Sequence, residues 1–313
     1  MSDQQRALVL GAGLVGICTA LALRERGFAV TMVDRDEPGQ GASMGNAGVI
    51  SPWACIPQSM PGVYKKVPNW LLDPEGPVAL RWAYAPRMLP WLNKFFAAGA
   101  LHRLPTIADA MLALNKPNLT LYRQLLAGTG HEGLVQDGKY IYVSHNSADL
   151  NVDALGWKIR AERGVNFERV GRDELIKVEP DISPDLEGAI VIHAQGRAVN
   201  PGRLGQVLSE KAQQVGVQLE RAEIKDLRAQ ADGQWRVDVG ARSLTAQAVV
   251  LTAGVWSVRL LSALGVKAPL EAERGYHMVF ADPGVNVNNP VHDLQSKVCL
   301  LYTSDAADDS VYV

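Results

Sequence analysis

The sequence predicts an α/β chain, with an α+β domain inserted into a discontinuous, Rossmann-like nucleotide-binding domain whose sheet is mostly parallel and carries a β-meander. Three observations predict it. A strand, glycine turn, helix and second strand follow one another at the N-terminus. A fully apolar strand returns near residue 248. Three short alternating strands lead up to that return. With 313 residues, 47% of them hydrophobic, the chain is long and apolar enough for two such cores.

The N-terminal unit starts with Ala7-Leu8-Val9-Leu10, the short apolar run of a parallel strand buried on both faces. Gly11-Ala12-Gly13-Leu14-Val15-Gly16 follows at once. Leu14, Ile17, Leu21 and Leu23 then recur at near-helical spacing, and Gly27 supplies a stop. The second strand, Ala29 to Val33, ends in Asp34. Each glycine has a mechanical reason: Gly11 permits the tight turn, Gly13 admits a pyrophosphate to the backbone, and Gly16 lets helix and strand pack closely. The helix N-terminus offers free N–H groups and partial positive charge to phosphates, and Leu14 and Val15 stand there. Asp34 is placed to accept ribose hydroxyls, with Arg35 beside it; its charge disfavours a 2′-phosphate. These residues specify a dinucleotide and leave NAD and FAD both open.

The next stretch narrows the choice. Gly39 to Gly48 is a run of small residues carrying the Ser43 hydroxyl and the Asn46 amide, suited to lie along an extended dinucleotide. GxGxxG, an acidic strand end and then Gly41-Ala42-Ser43-Met44-Gly45-Asn46-Ala47-Gly48 together resemble the FAD-dependent D-amino acid oxidase and glycine oxidase superfamily, most closely its bacterial D-amino acid dehydrogenases. Three further stretches resemble it too: Val199-Asn200-Pro201 opening a helix, Ala253-Gly254-Val255-Trp256-Ser257 after an apolar strand, and Pro269 with Glu273-Arg274-Gly275-Tyr276-His277 as an R-G-Y-H strand. The resemblance implies FAD held by Gly11, Gly13, Leu14, Val15, Gly16, Asp34, Arg35, Gly41, Ala42, Ser43, Asn46, Ala47, Gly48, Ile224, Ala253, Gly254 and Trp256. Ser43 to Gly48 contains neither histidine nor cysteine, which points to non-covalent flavin. No second GxGxxG is present, so the electrons are expected from an organic substrate rather than a nicotinamide.

The domain boundaries follow. Residues 1–52 and 199–267 are assigned to the FAD-binding domain. Residues 53–198 and 268–298 go to the substrate-binding domain. In the first of these, Gly202 to Gly216 reads as a helix leading to a strand at Val217 to Glu220. Strands around 224–229, 235–239 and 243–246 form the meander, and Ala248 to Thr252 is a buried parallel strand. The inserted domain begins with Trp53, Trp70, Trp82 and Trp91 among prolines. Residues 78–101 are strongly apolar, with Arg81, Arg87 and Lys94 interspersed and Arg103 just beyond. These aromatics suit either a domain core or a membrane interface facing anionic lipid. Residues 299–313 are small and acidic, show no continuation of the preceding strand, and read as foreign sequence on a truncated protein.

Composition excludes other classes. A formal net charge of −2 does not suit a nucleic-acid binder. Cys18, Cys55 and Cys299 are scattered, which argues against a disulfide framework or zinc site and fits a reducing compartment. No run of about 18 apolar residues is present, and the first strand leaves no room for a cleavable leader. The expectation is a cytoplasmic protein, or one peripheral on the cytoplasmic face of the inner membrane.

The resemblance implies oxidation of a D-amino acid to a 2-oxo acid and ammonia, with electrons passing to a quinone or the respiratory chain. A substrate carboxylate calls for an arginine fork helped by a tyrosine hydroxyl. Arg274, Tyr276 and His277 are the candidates by their place in the R-G-Y-H stretch. Arg274 is equally suited to an ion pair with Glu271 or Glu273, and His277 to an ordinary strand position. Competing readings are a secondary-amine oxidase or dehydrogenase (glycine, sarcosine or D-hydroxyproline), an inactive nucleotide-binding fragment, and an NAD-dependent dehydrogenase.

Overall fold

The computed structural model describes residues 4–72, 82–272, 274–281, 283–305 and 308–312. In chain order the elements begin with β1 (Arg6–Leu10), α1 (Leu14–Glu25), β2 (Ala29–Asp34), β3 (Val49–Ile50), α2 (Val63–Leu72), α3 (Ala85–Ala98), α4 (Leu104–Asn115) and α5 (Asn118–Leu126). There follow β4 (Val135–Ser144), α6 (Leu155–Glu162), β5 (Phe167–Gly171), α7 (Arg172–Val178), β6 (Gly188–Ala198), α8 (Pro201–Gln214), β7 (Gln218–Arg221), β8 (Ile224–Ala229), β9 (Trp235–Val239), β10 (Arg242–Ala246) and β11 (Ala248–Leu251). The last are α9 (Ser257–Ala263), β12 (Val279–Ala281), β13 (Val291–Asp293), β14 (Cys299–Asp305) and β15 (Asp308–Tyr312). They form two compact units, residues 1–46, 124–134 and 200–276 in one and residues 47–123, 135–199 and 277–313 in the other.

The first unit holds an all-parallel sheet in the order β11-β1-β2-β7. Leu8 and Leu10 of β1 point to one face, where Val33 joins Leu227, Val237, Val239 and Ala246 of the antiparallel β8-β9-β10 meander and Leu260 of α9. Strand alternation turns Val9, which is fully buried, to the other face. Burying a Leu or Val side chain of this kind contributes about 1.5–3 kcal/mol. The helix α8 is capped as its sequence demands: the Asn200 side chain accepts from Arg203 N at 2.8 Å, and Pro201 fills the first turn.

Two expectations for this unit change. β11 is half-buried throughout rather than enclosed, because among the described residues it is the edge of its sheet, paired with β1 alone. The R-G-Y-H stretch is irregular and exposed, and strand structure begins only at Val279. Segment 124–134 also groups with the first unit rather than with the inserted domain. Lys211 of α8 ties it there, donating to the carbonyls of Leu125 (2.6 Å) and Ala127 (3.1 Å).

The second unit is built on a mixed sheet ordered β12-β15-β14-β13-β4-β6-β3, with β5 paired to β6. Its longest ladder, β4 against β6, is antiparallel with an irregularity between Gly138 and Tyr140. One face packs Ile141, Val143, Val191 and Val291 with Leu175 of α7; the other packs Ile192 with Cys55, Leu104, Ala108 and Ile159. Trp53 lies against this second cluster, as a core aromatic should. α3 buries none of its residues, and Trp82, Tyr84 and Leu89 stand exposed at and before it. Arg81, Glu273, residues 78–80 and the Trp70 side chain lie outside the described residues. Residues 299–305 and 308–312, for which no strand was expected, form β14 and β15, which pair antiparallel. No described helix is long and apolar enough to cross a membrane.

Candidate functional site

The first unit contains a cavity of about 700 Å³. It is walled by the β1–α1 turn, the end of β2, residues 40–43 and the turn from β11 into α9, and thirteen of the expected cofactor residues line it. These are Gly11, Gly13, Leu14, Val15, Asp34, Arg35, Gly41, Ala42, Ser43, Ile224, Ala253, Gly254 and Trp256. Residues 170 positions or more apart thus converge because β11 lies beside β1 in register, Leu10 opposite Leu251.

Steric limits explain the glycines. Gly11 has φ +116°, and a Cβ there would meet the Thr252 carbonyl oxygen at 2.6 Å. A Cβ on Gly16 would stand 1.9 Å from the Gly11 carbonyl oxygen, so Gly16 serves the cavity from below by letting α1 close on the turn. A Cβ on Gly13 would approach the Ser43 hydroxyl at 3.2 Å.

The polar groups hold the turn in shape. Asp34 accepts from Ala12 N (2.6 Å) through one carboxylate oxygen and from Asp36 N (3.0 Å) through the other. A carboxylate has about four lone-pair directions, so each oxygen retains one for a ribose hydroxyl. Ser43 accepts from Leu14 N at 3.0 Å, and Asn46 donates back to the Ser43 carbonyl at 2.9 Å. The Ser43 hydroxyl takes the first N–H of α1; beyond that, Gly13 gives no side-chain cap and the first turn has no acidic residue, so the positive end of the helix still favours an anion. Arg35 lies over the Trp256 ring at 5.0 Å, a cation–π pair on the cavity wall.

The tight turn, the helix N-terminus, the carboxylate and a cavity of this volume together fit the adenosine and pyrophosphate portions of FAD. Ala47 and Gly48 belong to the second unit, where the Gly48 carbonyl accepts from Ala198 N at 2.7 Å. Arg274, Tyr276 and His277 line no part of the cavity; Tyr276 is 85% exposed and the other two are exposed as well.

Several cavity residues were not anticipated: Asp36, Glu37, Gln40, Glu223, Thr252, Val255, Val258, Arg259 and Leu260. Most adjoin an expected residue, and extending each motif by one or two positions finds them. Thr252 has a further role, its hydroxyl donating to the carbonyls of Leu10 (3.1 Å) and Gly11 (2.9 Å) and so tying β11 to the glycine turn.

Comparison with known proteins agrees with this geometry. The family model described as FAD dependent oxidoreductase (DAO) matches residues 6–313. A D-amino-acid oxidase of Bradyrhizobium diazoefficiens is 33% identical over 307 residues, covering 97% of this chain and 73% of that protein. A D-amino acid dehydrogenase of Rhizobium rhizogenes is 29% identical over 311 residues, covering 96% and 74%. Among solved structures, glycine oxidase from Geobacillus kaustophilus superposes with TM-score 0.65 at 17% identity, over 99% of this chain and 70% of that one. Iminodiacetate oxidase from Chelativorans sp. gives TM-score 0.66 at 22% identity, over 98% and 70%. The chain therefore belongs to the DAO family of FAD dependent oxidoreductases.

Proposed function

We propose that the chain oxidises D-amino acids, using non-covalently bound FAD, to 2-oxo acids and ammonia. The observation that carries the reading is the cavity at the β1–α1 turn, in a chain whose relatives of 33% and 29% identity are named D-amino-acid oxidase and D-amino acid dehydrogenase. When bound, the flavin supplies a two-electron acceptor for the hydride on the carbon bearing the amine. The protein's part is to orient that C–H bond and hold the carboxylate; water then hydrolyses the released imine. Non-covalent binding is supported by a cavity lining without histidine or cysteine. Arg274, Tyr276 and His277 of the R-G-Y-H stretch are the candidates for the substrate side, and all three are exposed.

The acceptor is assigned to a quinone or another respiratory carrier. Steady-state assays with a panel of D- and L-amino acids, glycine and sarcosine test both assignments. Dye reduction with D-amino acids, at least about tenfold faster than peroxide release, is expected. Preference for glycine or sarcosine would replace the substrate assignment, and stoichiometric peroxide would replace the acceptor.

A peripheral contact with anionic lipid goes with that acceptor, through α3 and the residues flanking it. Trp82 is 69% exposed and Leu89 56%. Arg87, Lys94 and Arg103 lie in a stretch from Trp82 to Ala108 that contains no acidic residue. Each basic group near an anionic surface contributes about 1 kcal/mol. Reversing Arg87 and Lys94 to Glu is therefore expected to weaken co-sedimentation with phosphatidylglycerol vesicles by tenfold or more. Equal sedimentation of the reversed variant, or none by the parent chain, would contradict the contact.

A further inference from the structure

Three consecutive peptide units make the turn between β1 and α1. The first, joining Gly11 to Ala12, is gripped at both ends. Its carbonyl accepts from the Thr252 hydroxyl at 2.9 Å, and its N–H donates to the Asp34 carboxylate at 2.6 Å. The carbonyl of the second accepts from Gly39 N at 2.8 Å, which turns the opposed Gly13 N–H of that trans peptide away from Gly39. The third donates through Leu14 N to the Ser43 hydroxyl at 3.0 Å, and its carbonyl accepts from Ile17 N at 2.9 Å. Gly11, Gly13 and Leu14 all line the cavity.

The first of these units most needs its grip. Glycine adopts either sign of φ, so a peptide beside it turns over more readily than one between ordinary residues, and Gly11 stands at φ +116°. Turning over would take Ala12 N off Asp34 and bring a carbonyl oxygen toward that carboxylate instead. Thr252 opposes this from just beyond the end of β11, 241 positions away in the chain. Gly11 is buried, and among the described residues its carbonyl accepts no other hydrogen bond. Water has no room to stand in for the hydroxyl, since a Cβ on Gly16 would already lie 1.9 Å from the same oxygen and 2.9 Å from Thr252 Oγ1. The Leu10 carbonyl is also within reach of the hydroxyl at 3.1 Å, but it accepts from Thr252 N at 2.8 Å as well. The Gly11 carbonyl is therefore the group that depends on this side chain.

We propose that Thr252 is a positioning residue for the flavin cofactor. Together with Asp34 it locks the Gly11–Ala12 peptide, and through that peptide it fixes the donors that the turn presents to a pyrophosphate. Its hydroxyl is engaged by the backbone, so its effect on the cofactor passes through the turn. The inference rests on FAD as the ligand of this cavity and is independent of the substrate.

The test uses the full chain loaded with FAD, in the variants Thr252→Val, Thr252→Ser, Asp34→Asn and the Thr252→Val/Asp34→Asn double. Each is loaded with excess FAD and then diluted, and Kd is read from flavin fluorescence at a temperature well below Tm. Far-UV circular dichroism reports folding and Tm. Thr252→Val leaves a buried carbonyl without a donor and is expected to raise Kd about tenfold or more while the protein stays folded. Thr252→Ser restores the hydroxyl and should bind within about threefold of the parent. Both grips act on one peptide, so once either is lost the other no longer fixes it. The double variant should therefore fall short of the product of the two single effects by at least about threefold. A side chain that only stabilised the fold would lower Tm and leave Kd where it was. A Kd for folded Thr252→Val within threefold of the parent overturns the proposal, as does a double variant closer than threefold to the product. If Thr252→Val does not fold, Thr252→Ala decides by the same threefold limit. A parent chain that takes up no FAD would overturn the cofactor reading and the proposal with it, whereas a parent that binds FAD tightly beside an unaffected Thr252→Val would overturn the proposal alone.

Discussion

Gly16→Ala is expected to yield protein that retains no flavin through purification and melts at least about 5 °C below the parent chain. The added Cβ would lie 1.9 Å from the Gly11 carbonyl oxygen and 2.9 Å from the Thr252 hydroxyl oxygen, inside any real carbon contact. Backbone cannot yield as a long side chain can, so α1 must move away from the glycine turn. Overpacking of this kind costs about 1–3 kcal/mol or more, and in a domain of this size each kcal/mol lowers Tm by about 2–4 °C. The displacement also carries the Leu14 and Val15 N–H groups off the cavity. A variant with normal flavin content would show that α1 does not need this close approach.

Asp34→Ala is expected to weaken FAD binding about 30- to 100-fold without unfolding the chain. The carboxylate does two things: it fixes the turn through Ala12 N and Asp36 N, and it retains lone pairs for the ribose. Hydrogen bonds to charged groups contribute about 1.5–3 kcal/mol each, and 1.4 kcal/mol is a tenfold change in Kd. Asp34→Asn keeps one acceptor oxygen and should lose less. Titration of the apoprotein with FAD, followed by flavin fluorescence, measures both, and a Kd for Asp34→Ala within threefold of the parent would remove Asp34 from the site.

The site was legible where the chemistry is local. From Ala7 to Asp34 the strand, turn, helix and second strand follow from consecutive residues, and the structure returns them as Arg6–Leu10, Leu14–Glu25 and Ala29–Asp34. The meander and the Ala253–Ser257 turn were equally readable, since their alternation and small residues lie within a few positions. Contacts that join distant segments were not legible. Nothing in Ser43 announces that its hydroxyl meets Leu14 N, and nothing in Thr252 announces its bonds to Leu10 and Gly11. The β4–β6 ladder joins residues more than 40 positions apart. The R-G-Y-H stretch failed as a strand because a sequence pattern does not show whether a neighbouring strand is there to pair with it.

The most direct measurement is of the flavin itself. The purified chain is expected to be yellow, to carry about one FAD per chain, and to release all of it as FAD when denatured by acid or heat. Folded but colourless protein that instead binds NADH would contradict FAD as the dinucleotide of the β1–α1 cavity. Flavin that stays with the denatured polypeptide would contradict non-covalent binding.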